Sequence, residues 1–410
     1  MRPLRSLLAG SGALVVLALS AAVFLQWTGA SAVLPLLPIY LSGRGTSTAL
    51  IGTVMASFFA TGVVAQYLSG RLGDRIGHRR VLVGGLVGYA VASAGFLAEV
   101  NGWGYLVLRG AQGAAAGAAQ VACLALVARV VPLQARGRAY ALISGAELAG
   151  IAAGPMLGAA VGIEHMGVLF VISAGAALLA CIPVLASRVA GAALAGDPDA
   201  AAARLPRRGL AARALAGVLV VAVVGGTLTG VYEACWSLLM DARGASETQI
   251  GLSWTLFALP FAVVAPFAGW LADRSDRRVL VMGGLLSGSL FAGLYPFLPS
   301  VSWLIGLGMV ESLGFVFAVP AAQSLLTQHV PVQAAGRAQG VFTAVQTAAV
   351  AVSAGVCGAA FGIADWLPFV GVMLVTLVLL IAVPLAWRRV PGKVTSGLPE
   401  EVPARVASLP

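Results

Sequence analysis

Charge is scarce in this chain. Asp, Glu, Lys and Arg make up 10% of its 410 residues, and 60% are hydrophobic, where soluble domains carry about 25% charged residues. So few polar side chains could not cover a water-facing surface, which excludes a soluble enzyme. Acidic residues are the rarer sign, 15 against 25 basic ones, for a net charge of +10. The basic residues are dealt out between apolar segments and form no patch, so no nucleic-acid partner is expected. Histidines are few, His78, His165 and His329, and so are cysteines, Cys123, Cys181, Cys235 and Cys357. None has metal-ligand or disulfide spacing, and neither a metal nor another cofactor is expected. No Gly-rich phosphate cradle ends in Lys-Ser or Lys-Thr, which argues against ATP as the direct energy source. What the chain has in plenty is glycine, 52 residues, together with 20 prolines. Both lie inside long apolar runs, as in membrane helices that need close backbone contact, and not in a disordered chain.

A bilayer core of about 30 Å needs roughly 20 residues of helix. Apolar runs between charged or turn-rich breaks predict twelve transmembrane helices, beginning near Gly12, Leu50, Val81, Trp103, Arg138, Met166, Arg213, Gln249, Val279, Ser302, Arg337 and Trp366. The first follows Arg2 and Arg5 but runs on to about Tyr40, longer than a signal peptide's apolar core, and is kept as a span. With a cytoplasmic N-terminus, 22 Lys and Arg residues fall on the cytoplasmic side, two (Arg44 and Arg243) outside and one (Arg109) within the membrane. This asymmetry predicts a multi-pass protein of the cell (plasma or inner) membrane with both termini in the cytoplasm. Trp103, Trp303 and Trp366 open spans on the outer side, while Trp270 and Trp387 close spans on the inner side, as interfacial belts. The polar stretch 188–212 reads as a cytoplasmic linker between six-span blocks at 1–187 and 213–387, and the Pro- and Gly-rich tail 388–410 is expected to be disordered.

The blocks repeat. GRLGDRIGHRRVLVGG from Gly70 returns as GWLADRSDRRVLVMGG from Gly269, and VPLQARGRAY from Val131 returns as VPVQAAGRAQ from Val330. Two similar six-helix bundles related by an axis along the membrane normal follow from such a repeat. The loop with Gly70, Leu72, Asp74, Arg75, Gly77, Arg79 and Arg80 resembles the signature loop of the major facilitator superfamily. Arg109, Gln112 and Gly113 resemble that superfamily's fourth-helix motif. Gly150, Gly154, Pro155 and Gly158 resemble the antiporter motif of its drug:proton exporters, with Ala141 and Ala159 where the pattern has glycine. The resemblance spans nearly the whole chain. It implies an all-α integral membrane fold of two pseudo-symmetric six-helix bundles that rock around a central cavity, and no enzymatic activity.

Each motif has a physical use. Asp74 and Asp273, each followed by arginine at Arg75 and Arg274 and joined by Arg79, could latch one bundle to the other by capping a helix N-terminus. In the family the acid docks against the start of the eleventh helix, near Arg337 here. Arg129 stands where relatives often carry a partnering acid, so the charge relay departs from the family pattern. Ala146, Gly150, Gly154, Gly158 and Gly162 form a stripe along one helix face. Such a stripe lets backbones approach closely, and Pro155 favours a bend. The resemblance sets this face against the eighth span.

Ionisable residues inside the bilayer cost a few kcal/mol each and mark function by default. Here they are Arg109, Glu147, Glu233 and Glu311. Arg109 and Glu147 lie at depths that a long side chain could bridge, and the resemblance brings Gln26, Arg109, Glu233 and Glu311 to the cavity. A carboxylate in such a place can exchange protons near neutral pH and bind a cation instead. Glu233 or Glu311 is the expected substrate-facing carboxylate, Glu147 the proton carrier and Arg109 the group that biases it. Trp27, Trp236, Trp254, Phe257 and Phe261 could hold a lipophilic cation by cation–π attraction, or face lipid or core. The expected activity is export of small amphipathic compounds by proton antiport, from a monomer working by alternating access. The alternatives are a facilitator or symporter for a sugar, metabolite or siderophore, and a membrane sensor or assembly protein that transports nothing.

Overall fold

The computed structural model describes residues 11–98, 100–187, 209–328, 335–388 and 390, and among them there are helices and turns but no strand. In the first half α1 (Ser11–Val33) continues after a turn as α2 (Leu37–Gly43), followed by α3 (Thr48–Ile76), α4 (His78–Gly95), α5 (Gly102–Val130), α6 (Leu133–Val161) and α7 (Met166–Ala186). In the second, α8 (Gly209–Val231) passes through a π-helical turn (Tyr232–Trp236) into α9 (Ser237–Ala242). Then come α10 (Glu247–Arg274), α11 (Arg277–Leu294), α12 (Val301–Gln328), α13 (Ala335–Phe361) and α14 (Leu367–Trp387). The expected starts fall within about five residues of these helices. Of the expected linker, 188–208 lies outside the described residues, while 209–212 already belongs to α8. The tail expected to be disordered also lies outside them, apart from Arg388 and Val390.

Ten stretches are long and apolar enough to cross a membrane, with α1–α2 and α8–α9 each counting as one. The helices α4 and α10 are not in that set, against the expectation of twelve. For α4 the reason is its first turn, His78, Arg79 and Arg80, which dilutes an 18-residue helix. In α10 the side chains at 262, 265–266, 268–269 and 272–273 lie outside the described residues. Local chemistry sets the helix starts. Ser47, Asn101 and Asp276 accept from backbone N–H groups of the first turn, and Ser246 forms a reciprocal capping box with Gln249. Gly77 (φ 95°) turns the chain from α3 into α4, a conformation in which a side chain would be strained.

Packing repeats from one half to the other. In the first, α3 and α4 pack on α5, α1 packs on α6 and α7, and α4 on α7; in the second, α10 and α11 pack on α12, α8 on α13 and α14, and α11 on α14. Two larger contacts join the halves, α3 with α13 and α6 with α10. Exchanging the halves converts one contact into the other, the mark of a twofold relation.

Both joints have close contacts near the end that carries Arg44 and Arg243, away from the end rich in arginine. A Cβ on Gly52 would lie 2.7 Å from the Gly358 Cα, and one on Gly251 would lie 2.7 Å from the Ala159 Cβ and the Pro155 carbonyl oxygen. Near the second joint Glu247 Oε2 accepts from the Ile163 N–H at 2.7 Å, and Thr255 Oγ1 donates to the Ala152 carbonyl at 2.8 Å. One apolar core runs through this end, from Ala32, Leu36, Ile51 and Met55 into the second half. At the opposite end of the first half a separate core forms around Leu19, Leu82, Leu86, Val127 and Val184. The halves are thus joined at the arginine-poor end.

Two expectations are corrected by this packing. The stripe Gly150, Gly154 and Gly158 faces α1, not the eighth span: Cβ atoms on the first two would meet the Phe24 and Thr28 carbonyl oxygens at 2.8 and 2.6 Å, and one on Gly158 would collide with the Ala32 carbonyl oxygen. The neighbouring Ala152, Pro155 and Ala159 make the contact with α10, because successive faces of one helix serve two partners. Trp387 is 2% exposed and donates to the Ala214 carbonyl, so it is a packing residue and not a belt residue. Trp103, Trp303, Trp366 and Trp270 are exposed as a belt requires.

Gly358→Leu should therefore wedge α3 from α13 and favour conformations open at the arginine-poor end. Spin labels at positions 48 and 362 should show a longer distance in at least half of the molecules, and an unchanged distance would refute the close-packing account. Gly154→Leu should instead disrupt the α1–α6 pair inside the first half, cost the roughly 1–3 kcal/mol typical of overpacking, and so lower the thermal midpoint.

Candidate functional site: two cavities with carboxylates

The larger cavity, about 260 Å3, lies within the second half. The π-helical turn supplies Tyr232, Glu233 and Trp236, α10 supplies Trp254, Phe257 and Phe261, and α12 supplies Glu311 and Phe315. A π-helical turn packs an extra residue into one turn of helix and is frequent at functional sites. Here it presents both neighbours Tyr232 and Glu233 to one cavity.

The two acids of this cavity are held differently. Glu311 is 1% exposed, and each of its oxygens accepts a hydrogen bond, Oε1 from Tyr232 at 2.7 Å and Oε2 from Tyr295 at 2.5 Å. The Tyr232, Trp236 and Tyr295 rings meet edge to face, and Trp236 Nε1 donates to Ser253 Oγ at 2.9 Å. Glu311 is thus a saturated member of a rigid network. Glu233 is not: its Oε2 is buried without a partner, as is Trp254 Nε1 on the same cavity wall. An unpaired buried polar atom costs about 1–3 kcal/mol, and a charged one more, which a hydrogen-bonding group placed against this wall would recover.

Arg109, 3% exposed, donates to Gln112 Oε1 at 3.0 Å, and Gln112 donates on to Ser93 Oγ at 2.9 Å. Its guanidinium lies 4.4 Å from the centre of the Phe58 ring. Its electrostatic neighbours are Tyr89 and Glu233, although no ion pair within 4 Å joins it to Glu233 among the described residues. The expected pairing with Glu147 is not found. Glu147 stands in a second cavity of about 140 Å3, in the first half, together with Gln26, Trp27, Gln120 and Ser144. The four residues expected at one central cavity are therefore distributed: Glu233 and Glu311 share the larger cavity, Gln26 lines the smaller, and Arg109 lines neither. Side-chain direction around a helix decides this, and depth along the span does not reveal it.

At the arginine-rich end Asp74 Oδ1 accepts from Arg129 at 2.7 Å and stands 3.8 Å from His78. Both partners are in the first half, and among the described residues Asp74 makes no hydrogen bond or ion pair to α13. Arg129, a departure from the family pattern, supplies its counter-charge. Arg79 donates to the Leu185 carbonyl at 2.6 Å, Arg75 is exposed, and Arg274 stacks on Trp270 at 4.4 Å. The Asp273 side chain lies outside the described residues. Sequence reasoning missed Tyr232, Tyr295, Ser253 and Gln120. Tyr232 had a signal in its position beside Glu233; Tyr295 and Ser253 come from other helices and had none.

This architecture, helices with apolar exteriors and polar cavities inside, defines a multi-pass membrane protein. The family model described as Major Facilitator Superfamily matches residues 19–232 and again 215–409, and the chain belongs to that superfamily of transporters. Over 303 residues it is 28% identical to an uncharacterised MFS-type transporter of Mycobacterium tuberculosis, covering 74% of this chain and 40% of that protein. The chain thus spans less than half of that relative's length. It is 25% identical over 340 residues to the class E tetracycline resistance protein of Escherichia coli, covering 78% of this chain and 81% of that protein. Among solved structures, a POT family transporter in complex with a thioalcohol-conjugated peptide superposes with a TM-score of 0.76 at 12% identity, covering 91% of this chain and 96% of that one. The human organic anion transporter TETRAN superposes with a TM-score of 0.62 at 22% identity, covering 90% and 99%. These two likenesses show the fold.

Removing either donor of the Glu311 network should cost about 1–3 kcal/mol, the range for leaving a buried acceptor unsatisfied. Tyr295→Phe and Tyr232→Phe should each lower the thermal midpoint of the purified protein, and unchanged midpoints would show that the network contributes nothing.

Proposed function

We propose that this chain is a twelve-span exporter that expels small amphipathic, cationic compounds in exchange for protons, as a monomer in the plasma membrane with both termini cytoplasmic. Its two six-helix bundles, 1–187 and 213–387, rock about the joints α3–α13 and α6–α10. The carrying observation is the unpartnered Glu233 oxygen in a cavity walled by Trp236, Trp254, Phe257 and Phe261. An aromatic wall attracts a lipophilic cation by about 0.5–2 kcal/mol per ring. A carboxylate beside it holds either that cation or a proton, which is the exchange that antiport requires.

The positive-inside rule supports a cytoplasmic location for the arginine-rich end. The joints then close the outer face, and the conformation described is one ready to load from the cytoplasm. Asp74, held by Arg129 within its own bundle, is a disengaged latch in this state. Arg75, Arg79, Asp273 and Arg274 belong to the same latch, which engages when the inner face closes. Export is further supported by the similarity to a tetracycline resistance protein. In the cycle Glu233 takes the cation, Glu311 holds the aromatic wall in place, and Glu147 carries the proton in the smaller cavity.

Inverted vesicles with an imposed pH gradient test this reading. Adding a lipophilic cation should release protons in the wild type. Glu233→Gln should lower the response at least tenfold with unchanged membrane abundance, and Glu147→Gln should do the same. A wild-type response in Glu233→Gln would retire the assigned carboxylate, and no response in any protein would retire antiport.

A further inference from the structure

The smaller cavity contains more than a proton site needs. Gln26 is 7% exposed, yet its amide has no hydrogen-bond partner among the described residues, and the same holds for the Ser144 hydroxyl and the half-buried Glu147 carboxylate. Gln120 Oε1 accepts from Gln66 at 3.1 Å, which leaves the Gln120 amino group unpaired as well. These groups come from three helices, α1, α5 and α6, and converge on one space of about 140 Å3. Gln26 is buried and Glu147 half-buried, while Ser144 and Gln120 are exposed at the rim, so the cavity presents two inner and two outer polar groups that a ligand could engage together. The donors and acceptors are mixed, the charge is a single carboxylate, and Trp27 offers an aromatic face.

We propose that this cavity is a second ligand site, separate from the aromatic cavity, for a compact organic cation with several N–H donors, of the guanidinium or amidinium kind. Such a group matches the lining: a planar guanidinium forks onto a carboxylate with two parallel hydrogen bonds. Its remaining N–H groups face the Gln26 carbonyl and Ser144 Oγ, and its plane stacks on Trp27. A bulky lipophilic cation with no N–H group fits the larger cavity instead, where the walls are aromatic. The assignment rests on and deepens the transport reading, since it gives the carrier two classes of cargo headgroup and lets a guanidinium compete with the proton for Glu147, but its test reads binding and does not require proton coupling.

Ligand-observed NMR titrations on the detergent-purified full chain test it, with methylguanidinium and tetraphenylphosphonium as probes. Glu147→Gln and Gln26→Leu should each weaken methylguanidinium binding at least tenfold while leaving tetraphenylphosphonium affinity within twofold. Glu233→Gln should do the reverse. Two independent substitutions guard against a folding defect, which gel filtration and the retained second affinity would expose. Methylguanidinium binding that survives Glu147→Gln, that is absent from the wild type, or that tetraphenylphosphonium displaces competitively would overturn the proposal. Failure of the vesicle assay with these affinities intact would remove antiport and leave the second site standing.

Discussion

The close approach of backbones at small residues holds the two halves together. Gly52 against Gly358, and Gly251 against Pro155 and Ala159, bring helices of opposite halves to distances that a side chain on either glycine would prevent. In lipid there is no hydrophobic drive to press helices together, so dispersion across such crossings and a few hydrogen bonds carry the association. The hydrogen bonds are here: Glu247 to the Ile163 N–H, and Thr255 to the Ala152 carbonyl. The closest approaches of both joints sit toward one end, the arginine-poor one.

The second constraint is the cost of charge in the bilayer, and the structure meets it in three different ways. Glu311 is satisfied by two tyrosine hydroxyls, Arg109 in part by an amide and an aromatic face, with its Nε left buried and unpartnered, and Asp74, at the membrane edge, by an arginine. Among the described residues, Glu233 Oε2 is buried without a partner and the half-buried Glu147 makes no hydrogen bond, each beside a cavity. Saturated groups rigidify their surroundings, and unsatisfied ones are where a ligand or proton gains most by binding. The distinction separates the groups that hold their surroundings in place from those left open to bind.

Much of the site was legible because membrane sequences advertise their exceptions. Arg109, Glu147, Glu233 and Glu311 stand out against apolar surroundings, and each proved to be interior or to line a cavity. Their grouping was not legible. Depth along a span follows from a count of residues, but the direction of a side chain around its helix follows from packing, and so Glu147 fell with Gln26 and not with Arg109. The glycine stripe failed for the same reason: its spacing revealed a close contact, and the contact turned out to be with α1. Tyr295 and Ser253, from helices remote in sequence, could not have been found.

What the sequence alone determined is therefore what depends on local pattern: the helical class, the positions of the apolar segments, the internal repeat and the arginine asymmetry, all written in hydrophobic runs and charge. What the tertiary structure decided is which helix faces which, that the joints close the arginine-poor end, and that the carboxylates divide between two cavities. Those outcomes rest on contacts between segments hundreds of residues apart, where a single Cβ too many would push two helices from each other.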